Sequence, residues 1–60
     1  MFVELDTRYS DGLKVRLEWD RDSGETQIVV HDTRSDGLVA FGVPPVRAAD
    51  AFRHPFRYAP

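Results

Sequence analysis

The stretch Leu13-Lys14-Val15-Arg16-Leu17-Glu18-Trp19 alternates without a break between apolar and charged side chains. A strand projects successive side chains to opposite faces, so Leu13, Val15, Leu17 and Trp19 share one face and Lys14, Arg16 and Glu18 the other. That pattern defines a half-buried strand, and the rest of the chain reads as partners that pair with it or cover its apolar face.

Upstream, Val3, Leu5, Thr7 and Tyr9 alternate with Phe2, Glu4, Asp6 and Arg8, which predicts a first strand over residues 2–9. A three-residue loop, Ser10-Asp11-Gly12, sets Tyr9 against Leu13, Thr7 against Val15, Leu5 against Leu17 and Val3 against Trp19. A two-residue Asp11-Gly12 turn would oppose Tyr9 to Lys14 and divide the apolar residues of the two strands between the faces. The longer loop is therefore the expected one, and it makes Arg8, Lys14 and Arg16 neighbours on the solvated face beside Glu4, Asp6 and Glu18.

Downstream, the organising strand, residues 13–20, passes through Arg21-Asp22-Ser23-Gly24 into a third strand, residues 25–33. A loop of that length puts Leu17 opposite Ile28 and Val15 opposite Val30, and leaves Val29 and His31 on the solvated face. Arg34-Ser35-Asp36-Gly37 has a similar composition and predicts a second loop of the same kind, with Val30 opposite Phe41 and Ile28 opposite Val43. In both loops aspartate and serine bond the local backbone and glycine supplies positive φ. The fourth strand is then residues 38–43.

Pro44-Pro45 ends the sheet, since proline has no amide proton to donate. Residues 45–54 read as a helix, with Ala48, Ala49 and Phe52 inward, Arg47, Asp50 and Arg53 outward, and Pro55 as its stop. It has no capping side chain and only about ten residues, so packing must hold it. The tail, residues 55–60, is expected to continue along the core with Phe56 and Tyr58.

The resulting fold class is α+β, a single small domain spanning residues 1–60. It is a four-stranded antiparallel β-meander, order 1-2-3-4, with one short C-terminal helix packed on one face. That face holds Val3, Leu5, Val15, Leu17, Trp19, Ile28, Val30, Phe41 and Val43, with Trp19 expected to lie largely buried beneath the helix or tail. A strongly bent sheet closing toward a barrel is the alternative.

Composition narrows the function classes. The chain has no cysteine, which excludes a disulfide framework or thiolate metal site. At this length the surface buried on folding supports a stability of only about 3–9 kcal/mol, and self-association is a route to more. No apolar run is long enough to span a membrane and residues 1–15 lack a signal-peptide core, so a cytoplasmic location is expected. The net charge of −2 is unevenly spread: Arg47, Arg53 and Arg57 face Asp50 alone in residues 47–60, so the tail is basic and the body acidic.

No catalytic, cofactor or metal-ligand motif emerges. Asp20, Asp22 and Gly24 imitate a calcium loop, but Gly24 is fifth and His31 twelfth where an EF-hand has glycine sixth and glutamate twelfth. His31 and Asp32 are adjacent on a strand and point apart, which forbids a dyad. The expectation is a non-enzymatic protein-interaction module that forms a homodimer, or pairs with another protein, through Leu38, Val39, Ala40 and Phe41 of an uncharged fourth strand. The competing expectation is weak binding of nucleic acid or another anionic partner by the tail, through Arg53, Arg57 and Tyr58.

Overall fold

A computed structural model describes all residues from Met1 to Pro60. It contains β1 (Phe2–Ser10), β2 (Leu13–Asp20), β3 (Thr26–Asp32), β4 (Leu38–Val43) and α1 (Ala48–Arg53). A 3-10 turn, Pro45–Arg47, leads into α1, and a second, Pro55–Arg57, follows it. The strands form one antiparallel sheet in the order β1-β2-β3-β4, as the alternation predicts. The helix lies on the sheet against β2 and β3.

The first hairpin departs from the expected register. It turns through Asp11 and Gly12 alone, at φ of 51° and 78°, the paired positive values of a tight hairpin turn matched to strand twist. Ser10 therefore opposes Leu13, Tyr9 opposes Lys14, Arg8 opposes Val15 and Thr7 opposes Arg16. The mismatch that argued against this turn is real, and a bulge between Glu4 and Asp6 removes it halfway along. Leu5 is the extra residue, so Val3 returns to face Trp19 while Leu5 stays 54% exposed instead of joining the core. The chain keeps the preferred turn and moves the irregularity into β1. Arg8 then stands on the helix side of the sheet, not among Lys14 and Arg16.

β2 and β3 pair in the expected register, with Leu17 opposite Ile28 and Val15 opposite Val30. β3 and β4 are offset by two residues from expectation: Val30 opposes Val39, Ile28 opposes Phe41 and Thr26 opposes Val43. The loop is Thr33–Asp36, one residue earlier than Arg34–Gly37, and its chemistry copies that of the β2–β3 loop. Asp20 Oδ1 accepts from the Asp22 amide at 3.0 Å and Asp32 Oδ1 from the Arg34 amide at 2.9 Å. Ser23 Oγ accepts from Glu25 N at 3.2 Å and Ser35 Oγ from Gly37 N at 3.3 Å. Gly24, at φ 77°, occupies the left-handed position of the first loop and Asp36, at φ 64°, that of the second. Alignment by Asp-x-x-Ser fixes the frame, and the glycines do not.

The buried cluster joins Val15, Ile28, Val30, Phe41 and Val43 to Ala48 and Ala51 of the helix. Ala49 is exposed, so Ala51 and not Ala49 is the inward partner of Ala48. Trp19 is only partly buried and does not join this cluster, although Thr26 opposite it and Val43 beyond are buried. On the other face Val29 is 5% exposed rather than solvated. Its neighbours by register are Arg16, Gln27, His31 and Ala40, and long polar side chains cover apolar surface with their stems.

Candidate functional site

Both surfaces singled out in the sequence can be built from this framework. β4 ends the strand order, so one side of its backbone pairs with β3 and the other faces outward. The Asp32 amide donates to Gly37 O at 2.8 Å, which makes Asp32 and Gly37 a hydrogen-bonded pair. Antiparallel ladders alternate, so Val39, Phe41 and Val43 direct their amides and carbonyls toward β3. Leu38, Ala40 and Gly42 direct theirs to the free edge. Leu38 is 66% and Val39 39% exposed, and Ala40 is exposed. Phe41, included in the sequence-derived surface, is instead 8% exposed in the core because its side chain faces the helix. Gly42 is the third open position on this edge, since a Cβ there would find nothing closer than Thr26 O at 3.9 Å.

The tail does not run free. Pro55 is buried, Tyr58 and Ala59 pack against the core, and Phe56 remains 66% exposed. The Tyr58 hydroxyl donates to Asp50 Oδ2 at 2.6 Å, and Arg57 Nη1 lies 3.6 Å from Asp50 Oδ1. Tyr58 is therefore a brace between tail and helix rather than an exposed contact. The hydrogen bond from Tyr58, aided by the Arg57 charge, holds the Asp50 carboxyl below the ordinary aspartate range. The same bond keeps the Tyr58 phenol protonated to higher pH than usual. Arg53 and Arg57 are exposed.

Arg8 is the residue that sequence reasoning placed on the wrong face. Its Nε donates to Phe52 O and its Nη2 to Arg53 O, both at 2.9 Å, with the guanidinium 5.6 Å from the Phe52 ring centre. A helix end leaves carbonyls without partners, and a cation there also meets the favourable end of the helix dipole. β1 thus supplies the C-terminal cap that α1 cannot supply for itself. The only sequence signal for it was the Asp11-Gly12 pair, whose tight turn puts Arg8 on this side.

Neither histidine belongs to a cluster of three or more metal-ligating side chains, and no such cluster exists in the chain. His31 Nε2 lies 2.9 Å from Asp36 Oδ1, a pairing across the β3–β4 loop that the sequence spacing did not suggest. Asp20 is engaged by the Asp22 amide and, at 3.0 Å, by the Met1 ammonium, so the imitation calcium loop is a hydrogen-bonded turn. No helix is long and apolar enough to cross a membrane. No family model matches the chain, and no curated protein or solved structure matches it significantly.

Proposed function

We propose that this chain is a small non-enzymatic interaction module that self-associates by pairing β4 with β4 of a second copy. The observation that carries the reading is the free edge itself: Leu38 to Val43 holds no charged residue, and three of its backbone units face outward. An edge of that kind is a template for another strand unless something blocks it. A two-fold axis through Ala40 opposes Ala40 to itself and Leu38 to Gly42 of the other copy. The largest exposed side chain of the edge then meets the position that has none. The product is one continuous sheet of twice the strand number, and the added burial offsets the small core of a 60-residue chain.

Light scattering during size exclusion tests this reading at concentrations of about tens of micromolar, a range in which weak self-association is populated. A mass near twice 6.9 kDa is expected, and a mass near 6.9 kDa overturns the proposal. Ala40→Pro is expected to return the protein to monomer. Proline removes an outward amide that β3 does not use, so the substitution attacks the association and spares the internal ladder.

A further inference from the structure

A hollow of about 500 Å3 opens between the tip of the β1–β2 hairpin and the end of α1, on the side of the molecule where the tail turns back. Arg8 and Asp11 line it from the hairpin, Arg53 and Arg57 from the helix end and following turn, and Leu13 and Phe56 supply apolar surface. Three arginines thus converge against one aspartate in a chain whose net charge is −2. A hollow of about 740 Å3 at the other end of the sheet, beside Phe2 and Pro44, has Glu25 as its one ionisable group and offers no comparable chemistry.

Arg8 is already fixed in this cleft. Two of its nitrogens are committed to Phe52 O and Arg53 O, which holds the guanidinium in place and leaves Nη1 without a hydrogen bond in the chain. A held guanidinium loses little freedom on meeting a ligand, and its planar fork suits the oxygens of a carboxylate or phosphate. Arg53 has no carboxylate partner within ion-pair distance, and Arg57 has only Asp50 at 3.6 Å. The volume lies in the range of small-molecule sites, in which apolar walls hold the body of a ligand and a few polar groups orient it.

We propose that this cleft binds a small organic anion, with a carboxylate or phosphate head on the arginines and an apolar or aromatic body against Leu13 and Phe56. The site is separate from the β4 edge, and its occupancy does not depend on pairing there. Amide chemical-shift titrations of the labelled protein with phenyl phosphate, benzoate, inorganic phosphate and a short oligothymidylate test it. Saturable shifts confined to Ser10, Asp11, Arg53, His54 and Arg57 are expected with phenyl phosphate, benzoate or both, and which of the two binds identifies the head group. Inorganic phosphate, lacking the apolar body, is expected to bind more weakly. Arg53→Gln and Arg57→Gln should each weaken binding about tenfold, the loss of one charge-assisted hydrogen bond, and Arg53→Gln, which gives up no ion pair, should leave the thermal melt unaltered. The proposal is overturned by an absence of saturation or by shifts that extend equally to Arg21 and Arg34. It is also overturned by inorganic phosphate that binds as tightly as phenyl phosphate, or by oligothymidylate that binds more tightly per phosphate with a steep salt dependence.

Discussion

β1 and β4 are both edge strands, yet they meet solvent in different ways. β1 carries Glu4, Asp6 and Arg8, interrupts its ladder with a bulge, and sends Arg8 across to hold the helix. β4 runs from Leu38 to Val43 with no charge and no bulge. Charges and bulges are the devices by which sheets discourage edge pairing, and β1 carries both where β4 carries neither. The difference also divides labour. β1 stabilises the chain internally through Arg8, and β4 is the edge on which the proposed self-association rests.

Arg8→Ala breaks the β1 side of the comparison and has the largest expected effect. It removes two hydrogen bonds to helix carbonyls and the contact with Phe52, and leaves those carbonyls without a partner. A cost of about 2–3 kcal/mol is expected, a large share of the roughly 3–9 kcal/mol available to a domain of this size. Urea unfolding followed by circular dichroism measures it. Arg8→Lys should recover only part of the loss, because a single ammonium cannot reproduce the fork. An Arg8→Ala protein as stable as the parent would mean that α1 stands on its alanine packing alone.

The same comparison explains what the sequence revealed and what it withheld. Alternation at Leu13 to Trp19 was enough for the strand order, because hydrophobic period reports which face is buried whatever the register. Register depends on turns, and there two rules competed. At Asp11-Gly12 the preference of the backbone for a tight turn outweighed matching of apolar partners, and a bulge at Leu5 absorbed the difference. At the β3–β4 loop Gly37 drew attention as the residue for positive φ, whereas Asp36 takes that conformation and Asp32 and Ser35 set the frame. Aspartate tolerates the left-handed region, so the glycine was the weaker marker. Arg8 could be assigned to the helix side only after the turn was known. The outward direction of the Leu38, Ala40 and Gly42 backbone likewise follows from the ladder and not from composition.

Gly42→Leu sharpens the β4 side of the comparison. Within one chain there is room for the new side chain, so the monomer should melt within a few degrees of the parent, the shift that a change of about 0.5 kcal/mol makes in a domain this small. Across the proposed two-fold axis it would stand directly opposite Leu38 of the other copy, and an apolar cross-strand pair contributes about 0.2–1 kcal/mol, so the dimer should tighten by up to about fivefold. Sedimentation equilibrium reads the change directly. A dimer of unaltered affinity would reject the axis through Ala40 while leaving edge pairing in another register open to a Leu38→Lys test.

The smallest expected effect is on pH dependence, and it distinguishes the loops from the tail. The Asp22 amide, foremost, holds the Asp20 carboxyl below the ordinary aspartate range by donating to its ionised form, and the Arg34 amide does the same for Asp32. Carboxylates with depressed folded values contribute stability that is fully present above their unfolded values and is lost as pH falls through the folded ones. Both loops should therefore loosen only on acidification below the ordinary aspartate range. The Tyr58–Asp50 bond acts at both limits: Asp50, held low foremost by Tyr58, joins the acid limb, and a phenol held protonated contributes stability that is complete below its unfolded value and is lost as pH rises through its higher folded one. Melting temperature followed from about pH 2 to about pH 12 should thus be flat in the middle and fall at both ends. Asp32→Asn retains an oxygen for the Arg34 amide and should flatten part of the acid limb while keeping the loop, and Tyr58→Phe should remove the specific alkaline loss. An alkaline limb unchanged in Tyr58→Phe would show that the tail is held by Pro55 and Ala59 packing rather than by its bond to Asp50.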